Sequence, residues 1–405
     1  MSIKFRLGLM MFLQYAIWGS WGPVLSEYLI NDLHFSGIQI GVIISLLPLA
    51  TIISPFIGGQ IADRYFSTEK VISFLQITGG IVLFIVSQTS NYTTMMWMMF
   101  LYCILYAPTL ALTNSIAFIN LKNAEKDFGK VRVWGTIGWI AAGLTLSGWR
   151  IIGEDYEGLI LQGDTLFLAG IFSIIMGIQA LSLPSTPPKK EGASPWAFLE
   201  ALKMLKNKNI AIFIVITFVV ATELMFYYIL TAPFLTSDKI GISNNIVAGV
   251  MVIAQVAEIF VMAFLLPYFL ERFGIRKTLA IGVIFWPIRY IIFAIGSPAW
   301  LVIASLSLHG FCYVFFFTAA FIYIDMVAPD DIRSSAQSLI ALVTLGIGNY
   351  IGSLFAGWIR DYFTVGSITN WTGVFIVPCA LTILCAIAFM VFFKDEKASV
   401  PVKNT

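Results

Sequence analysis

Apolar runs of about twenty residues recur along this chain with only short polar breaks between them. A membrane-spanning helix needs roughly 20 consecutive apolar residues, so this pattern constrains the fold more than any motif does. Hydrophobic residues make up 59% of the 405 positions and charged residues only 11%, against about 25% charged in a soluble domain. No soluble core would hide that much apolar surface, and the solvent must be lipid. Twelve spans are predicted, at 7–30, 38–62, 70–89, 93–118, 131–150, 164–183, 209–235, 243–268, 278–296, 299–325, 337–360 and 371–393. One long polar interruption, 184–208, divides them six and six. The expected organisation is therefore a bundle over 1–183, a cytoplasmic linker over 184–208, a second bundle over 209–394 and a cytoplasmic tail over 395–405.

Lys and Arg set the expected orientation, because cytoplasmic loops are enriched in them. With the N-terminus inside, nineteen of the 24 Lys and Arg residues fall on inner segments. Arg150, Lys239 and Arg360 fall on outer ones, and Arg132 and Arg289 fall within spans. The basic start, Met1 to Arg6, runs into an apolar stretch too long for a signal peptide, so it reads as an uncleaved first helix. The basic residues are dispersed, which argues against nucleic acid as a partner. Cys103, Cys312, Cys379 and Cys385 all lie in apolar stretches. They read as small hydrophobes, with spacing that fits neither a zinc site nor a disulfide framework.

The two halves echo each other. Gly143, Gly148 and Trp149 recur as Gly352, Gly357 and Trp358, and Asp63-Arg64-Tyr65 recurs as Glu271-Arg272-Phe273. Parallel halves with a site between them near the midplane describe a secondary transporter. Glu223 and Glu258 sit near the middle of their spans. A charge at bilayer depth is costly and persists mainly where it faces protein, a water-filled cavity or a partner. Both carboxylates are therefore candidates for handling a polar cargo or a proton.

Gly59-x-x-x-Asp63-Arg64, with Arg272 and Arg276 at the matching place in the second half, resembles the loop signature of the major facilitator superfamily. The resemblance implies an all-α membrane protein of twelve helices in two pseudo-symmetric six-helix bundles, with the loop residues latching the halves on the inner side. A finer resemblance is to the nucleoside:proton symporter family within that superfamily. It rests on Leu9-Met10-Met11-Phe12-Leu13-Gln14-Tyr15-x-Ile17-Trp18-Gly19-x-Trp21-Gly22 in the first span and on Arg132-Val133-Trp134-Gly135-Thr136-Ile137-Gly138 in the fifth. Gln255-x-x-Glu258 in the eighth and Leu308-His309-Gly310 in the tenth complete it.

Helical spacing groups the polar residues into faces. Arg132, Thr136 and Trp139 fall at i, i+4 and i+7. They offer hydrogen-bond donors and a stacking surface, and the resemblance implies that they line the substrate cavity. Gln255 and Glu258 share a face suited to the adjacent hydroxyls of a ribose, with Glu258 the first choice for proton coupling and Glu223 the second. Glu223, Tyr227, Thr231 and Tyr228 make a second polar face in the seventh span. His309 and Tyr313 fall at i, i+4 in the tenth, and the match points them to the cavity. Gln14 and Trp18 are expected at the cavity edge. Asn114 and Asn349 are expected to hydrogen-bond between helices. Arg289 is expected near the outer end of its span, with a structural partner or snorkelling to the surface. Two departures from the family pattern stand out. Met225 and Tyr228 occupy the places of an amide pair, and Val314 follows Tyr313 where relatives carry an acid.

These features imply a bacterial inner-membrane transporter, monomeric, with both termini cytoplasmic and without metal or cofactor, that imports nucleosides with protons by alternating access. Three other readings stay open. One is the same fold carrying a sugar, nucleobase or other small polar metabolite, with or without coupling. Another is a membrane enzyme, for which the sequence offers no nucleophile elbow or phosphate loop. The third is a non-transporting sensor.

Overall fold

The structure, a computed structural model, describes residues 2–64, 66–156, 161–187, 196 and 198–394, with the side chains of 55–64, 124–126 and 330 left out. Apolar runs in lipid must satisfy their own backbone, which a helix does completely. The described residues accordingly form long helices. They are α1 (Ile3–Trp21), α2 (Gly37–Arg64), α3 (Thr68–Ser87), α4 (Tyr92–Asn120), α5 (Ala124–Glu154) and α6 (Asp164–Ala180). The second half repeats them as α7 (Lys208–Thr236), α8 (247–273), α9 (275–295), α10 (Ala299–Val327), α11 (Arg333–Tyr362) and α12 (Trp371–Phe392).

Helix boundaries follow from local chemistry. Side chains of Ser2, Asn91, Asn207 and Asn370 accept from free N–H groups at the starts of α1, α4, α7 and α12, which is the role of an N-cap. The first predicted span, 7–30, is broken. α1 ends at Trp21, and a short helix, Leu25–Asn31, follows the Gly22-Pro23 pair, because proline lacks the N–H that continuation needs. Between α8 and α9, Gly274 adopts φ 77° and ψ 171°, a region open essentially to glycine alone, and the chain breaks there. Three of the long helices are not uniformly α: α8, α10 and α11 each contain a π turn, at 261–265, 313–318 and 342–348. Such turns are frequent at functional sites.

Packing repeats between the halves. α1 lies against α5 and α6, α3 against α4 and α6, and α2 against α4. Six helices on, α7 lies against α11 and α12, α9 against α10 and α12, and α8 against α10. Two pseudo-symmetric six-helix bundles result, and the chain is an integral multi-pass membrane protein. The bundles meet along two seams, α2 with α11 and α5 with α8.

The hydrogen bonds across those seams gather at the end that the Lys and Arg bias assigns to the outside. Asp361 accepts from the backbone of Gly37 at 2.5 Å and of Ile38 at 2.9 Å. Arg150 donates to the Asn244 carbonyl at 2.9 Å, Gly249 N–H donates to Ser147 at 2.8 Å, and Asn245 donates to Glu154. Arg150 also holds Asp164 through two donors, at 2.6 and 2.8 Å, and reaches Glu27 at 3.4 Å. Glu27 and Asp164 are both buried, each near a helix end.

At the opposite end the expected loop latch is described only in part. Gly59, Asp63 and Arg64 fall on the last turns of α2, and their side chains lie outside the described residues, as do 188–195 and 395–405. Arg276 donates to the Phe393 carbonyl at 3.0 Å, within its own bundle. It braces the C-terminal end of α12. Lys4 pairs with Asp127 at 2.6 Å and ties α1 to the start of α5. That hydrogen bond holds the Asp127 carboxyl below its ordinary range.

Candidate functional site

The site begins with how closely α5 approaches α1. A side chain at Gly138 would collide with the Phe12 carbonyl, and one at Gly135 would come within 2.6 Å of the Tyr15 ring. A Cβ on Gly19 would lie 2.7 Å from the Trp139 Cα. The glycines of the motif therefore serve contact, and they set the side chains between them onto one wall. Arg132, Thr136 and Trp139 are all half-buried there. The Arg132 guanidinium lies 3.9 Å over the Tyr15 ring, a cation–π contact. Trp139 meets Trp18 edge-on with centroids 5.4 Å apart.

The second bundle supplies the facing wall. Glu258 is half-buried and Gln255 is buried one turn before it on α8. Gly310 lets α10 close onto α8, since a Cβ there would sit 2.7 Å from the Ala257 carbonyl. That contact sets Tyr313 beside Glu258. The Glu258 carboxylate lies within electrostatic reach of Arg132, and the Tyr313 hydroxyl within reach of Glu258, Arg132 and Tyr15. Tyr228 of α7, half-buried, faces Tyr313 and Glu258. Five helices from both bundles thus bring Tyr15, Trp18, Arg132, Thr136, Trp139, Tyr228, Gln255, Glu258 and Tyr313 toward one midplane region. Glu258 lies just before the π turn of α8, and Tyr313 opens that of α10.

Behind this wall lies a fully buried layer. Arg289, expected toward the outer end of its span with a structural partner or snorkelling, has no exposure at all. It packs over Tyr227 at 4.4 Å and Trp286 at 4.5 Å, and its Nη1 lies 3.2 Å from His309 Nδ1. Its place in the bundle interior corrects the snorkelling expectation. His309 is buried too, stacked between Tyr227 at 4.5 Å and Tyr313 at 5.5 Å.

Three further expectations change. Glu223 is 0% exposed and turned into its own bundle, where Thr222 donates to it at 3.3 Å and Oε2 has no hydrogen-bond partner among the described residues. The Tyr290 hydroxyl of α9 donates to the Glu223 carbonyl, Tyr227 one turn on stacks on His309 of α10, and Cys385 of α12 lies within electrostatic reach of the carboxylate, so this face of α7 is packed inside the second bundle. Gln14 is likewise buried, not at the cavity edge. It donates to Thr109 at 2.9 Å and accepts from Gln76 at 3.1 Å, inside the first bundle. Asn114 donates to Leu110 on its own helix at 3.1 Å, so the expected interhelical bond gives way to a bond one turn back. Tyr15 was the residue that sequence reasoning passed over. It falls three before Trp18, and that spacing was the available signal.

Comparisons with known proteins agree with this geometry. The family model described as nucleoside H+ symporter matches residues 1–398. The putative nucleoside transporter YegT of Escherichia coli K12 is 35% identical, covering 98% of this chain and 95% of its own. The nucleoside permease NupG of the same organism is 30% identical, covering 99% and 98%. A crystal structure of nucleoside transporter NupG superposes with a TM-score of 0.86 at 28% identity, covering 98% of this chain and 100% of the other. A nearly all-helical membrane scaffold of two pseudo-symmetric bundles and a family match along nearly the whole length lead to one conclusion: the chain belongs to the nucleoside–proton symporter family.

Proposed function

We propose that this protein imports nucleosides together with protons across the bacterial inner membrane by alternating access, with its termini in the cytoplasm. The observation that carries this reading is the facing of Arg132 and Glu258 across the two bundles, within one half-buried aromatic pocket. Trp139, Trp18 and Tyr313 offer flat surfaces for a base, and stacking of a base on an aromatic ring contributes roughly 1–3 kcal/mol in single-strand binding proteins. Gln255 and Glu258 offer an amide and a carboxylate one turn apart, suited to the two hydroxyls of a ribose. Arg132 and Thr136 supply donors to base carbonyls.

Glu258 is the group best placed to carry the proton, because it is partly open to the cleft while remaining membrane-embedded. A proton and a nucleoside then act on one carboxylate, and each shifts the population of bundle orientations by its differential affinity for them. In this scheme 184–208 is a cytoplasmic linker between the bundles, and a single chain is the transporting unit. The cross-bundle bonds at the outer end support a cleft that opens inward.

The experiment is uptake of radiolabelled uridine by purified protein in sealed proteoliposomes under an imposed pH gradient, competed by nucleobases and sugars. Uphill accumulation blocked by other nucleosides is expected. Accumulation blocked only by a sugar or a free base would reassign the cargo. Binding without accumulation would make the protein a sensor.

A further inference from the structure

The buried layer behind the cavity wall fixes the chemistry of one residue that the transport scheme leaves open. A guanidinium carries only donors and keeps its charge in proteins. Its Nη1 lies 3.2 Å from His309 Nδ1, so that ring nitrogen must accept, and the ring proton must sit on Nε2. We propose that Arg289 holds His309 as the neutral Nε2–H tautomer, making His309 a fixed donor in the layer that backs the cavity wall, never the proton carrier.

The surroundings support the assignment from every side. Arg289 meets the ring from α9, Tyr227 and Tyr228 from α7 and Tyr313 from its own helix; Glu258 of α8 lies within electrostatic reach of those three tyrosines, Tyr290 and Cys312 within reach of Arg289, and Glu223 within reach of Tyr290. Among the described residues no carboxylate forms an ion pair with Arg289 or His309. A second positive charge 3.2 Å from the guanidinium would repel it without an ion-paired carboxylate among the described residues to offset the repulsion, and the ring is fully buried. The stack runs Arg289, Tyr227, His309, Tyr313, with spacings of 4.4, 4.5 and 5.5 Å. Arg289 thus acts as a positioning residue. It orients His309, and His309 in turn backs Tyr313 in the pocket. Proton coupling falls to the carboxylate side of the site.

The chain has only two histidines, which makes the test clean. His34 is exposed and adopts φ 55°, a conformation Asn tolerates, so His34→Asn leaves His309 as the sole imidazole. The variant, labelled with ¹⁵N-histidine and held in lipid nanodiscs, is followed by nitrogen NMR from about pH 5 to 8, the range in which an ordinary histidine changes charge. The expected spectrum shows one bare and one protonated nitrogen throughout, with the proton on Nε2. An imidazolium signal anywhere in that range, or a proton on Nδ1, would overturn the proposal. Arg289→Met removes the donor and the charge while keeping an unbranched apolar stem. It is expected to give mixed tautomers and an imidazolium signal on the acid side, and an unchanged spectrum would also overturn the proposal. Should the Met variant not fold, the His34→Asn spectrum decides alone. This inference places a residue around the site proposed above, yet the spectrum reads it without transport. A protein that accumulates no nucleoside would sink the function and leave the tautomer standing.

Discussion

Two membrane-embedded carboxylates that look alike in sequence part company once their surroundings are known. Glu258 is half-buried and faces Arg132 across the cleft, whereas Glu223 is wholly enclosed in one bundle. Glu258→Gln is therefore expected to abolish pH-driven accumulation while leaving a folded protein. Glu223→Gln, which removes a buried acid without a cationic partner, is expected to keep accumulation and to hold or raise thermal stability. Uptake under a pH gradient and a melting curve on the same two variants check both, and unchanged accumulation in Glu258→Gln would move the proton elsewhere. For the base, Trp139→Ala is expected to weaken nucleoside binding about 5- to 150-fold, the equivalent of a stacking term of roughly 1–3 kcal/mol, measured by calorimetry. The faces carrying these residues were legible as spacings. Which way each face points was not, because helical periodicity fixes what residues share a face but not what that face meets. Gln14 shows the point: its polar partners Gln76 and Thr109 lie on α3 and α4, and nothing in the local sequence announces them.

At the scale of elements, the glycine motif of α5 works by steric exclusion. Gly138 meets backbone of α1 at the Phe12 carbonyl, while Gly148, further along the same helix, has open space where a side chain would go. Gly138→Ala is expected to lower stability by about 1–3 kcal/mol, the usual cost of overpacking. Gly148→Ala should be neutral or gain a few tenths to about 1 kcal/mol, since alanine outranks glycine in a helix interior. Thermal denaturation of the purified pair in one detergent separates the two, and equal shifts would refute the packing argument. The same comparison bounds what internal repetition reveals. Gly143 lies on α8 across the bundle seam, yet its echo Gly352 lies on α7 within its own bundle. Echoed sequence identified the two halves, but neighbours are exchanged between copies because each bundle also meets the other along a seam.

Across the whole molecule, the closure at the Asp361 end joins two kinds of contact. Gly37 and Gly357 bring α2 and α11 into backbone contact, and Asp361, one turn past that glycine, accepts from the first two N–H groups of α2. An anion at a helix N-terminus is stabilised both by the free N–H groups and by the helix dipole. A hydrogen bond to a charged group contributes about 1.5–3 kcal/mol, so losing this one should shift the balance of orientations by about tenfold or more. Rocking of the bundles must break this contact each time the cleft opens outward. Asp361→Ala is therefore expected to raise the outward-open population without changing the cleft residues. The four native cysteines are buried, so a cysteine introduced at Thr236, which receives a hydrogen bond from Asn31 across the same end, reports the opening alone. A membrane-impermeant maleimide applied to the outside of sealed cells should label that cysteine faster in the Asp361→Ala background. Saturating nucleoside that favours the inward state should slow the labelling again. Equal labelling rates with and without Asp361 would show that the glycine seam, Arg150 and the other bonds across this end hold the closure by themselves, and that the carboxylate cap contributes nothing to which way the transporter faces.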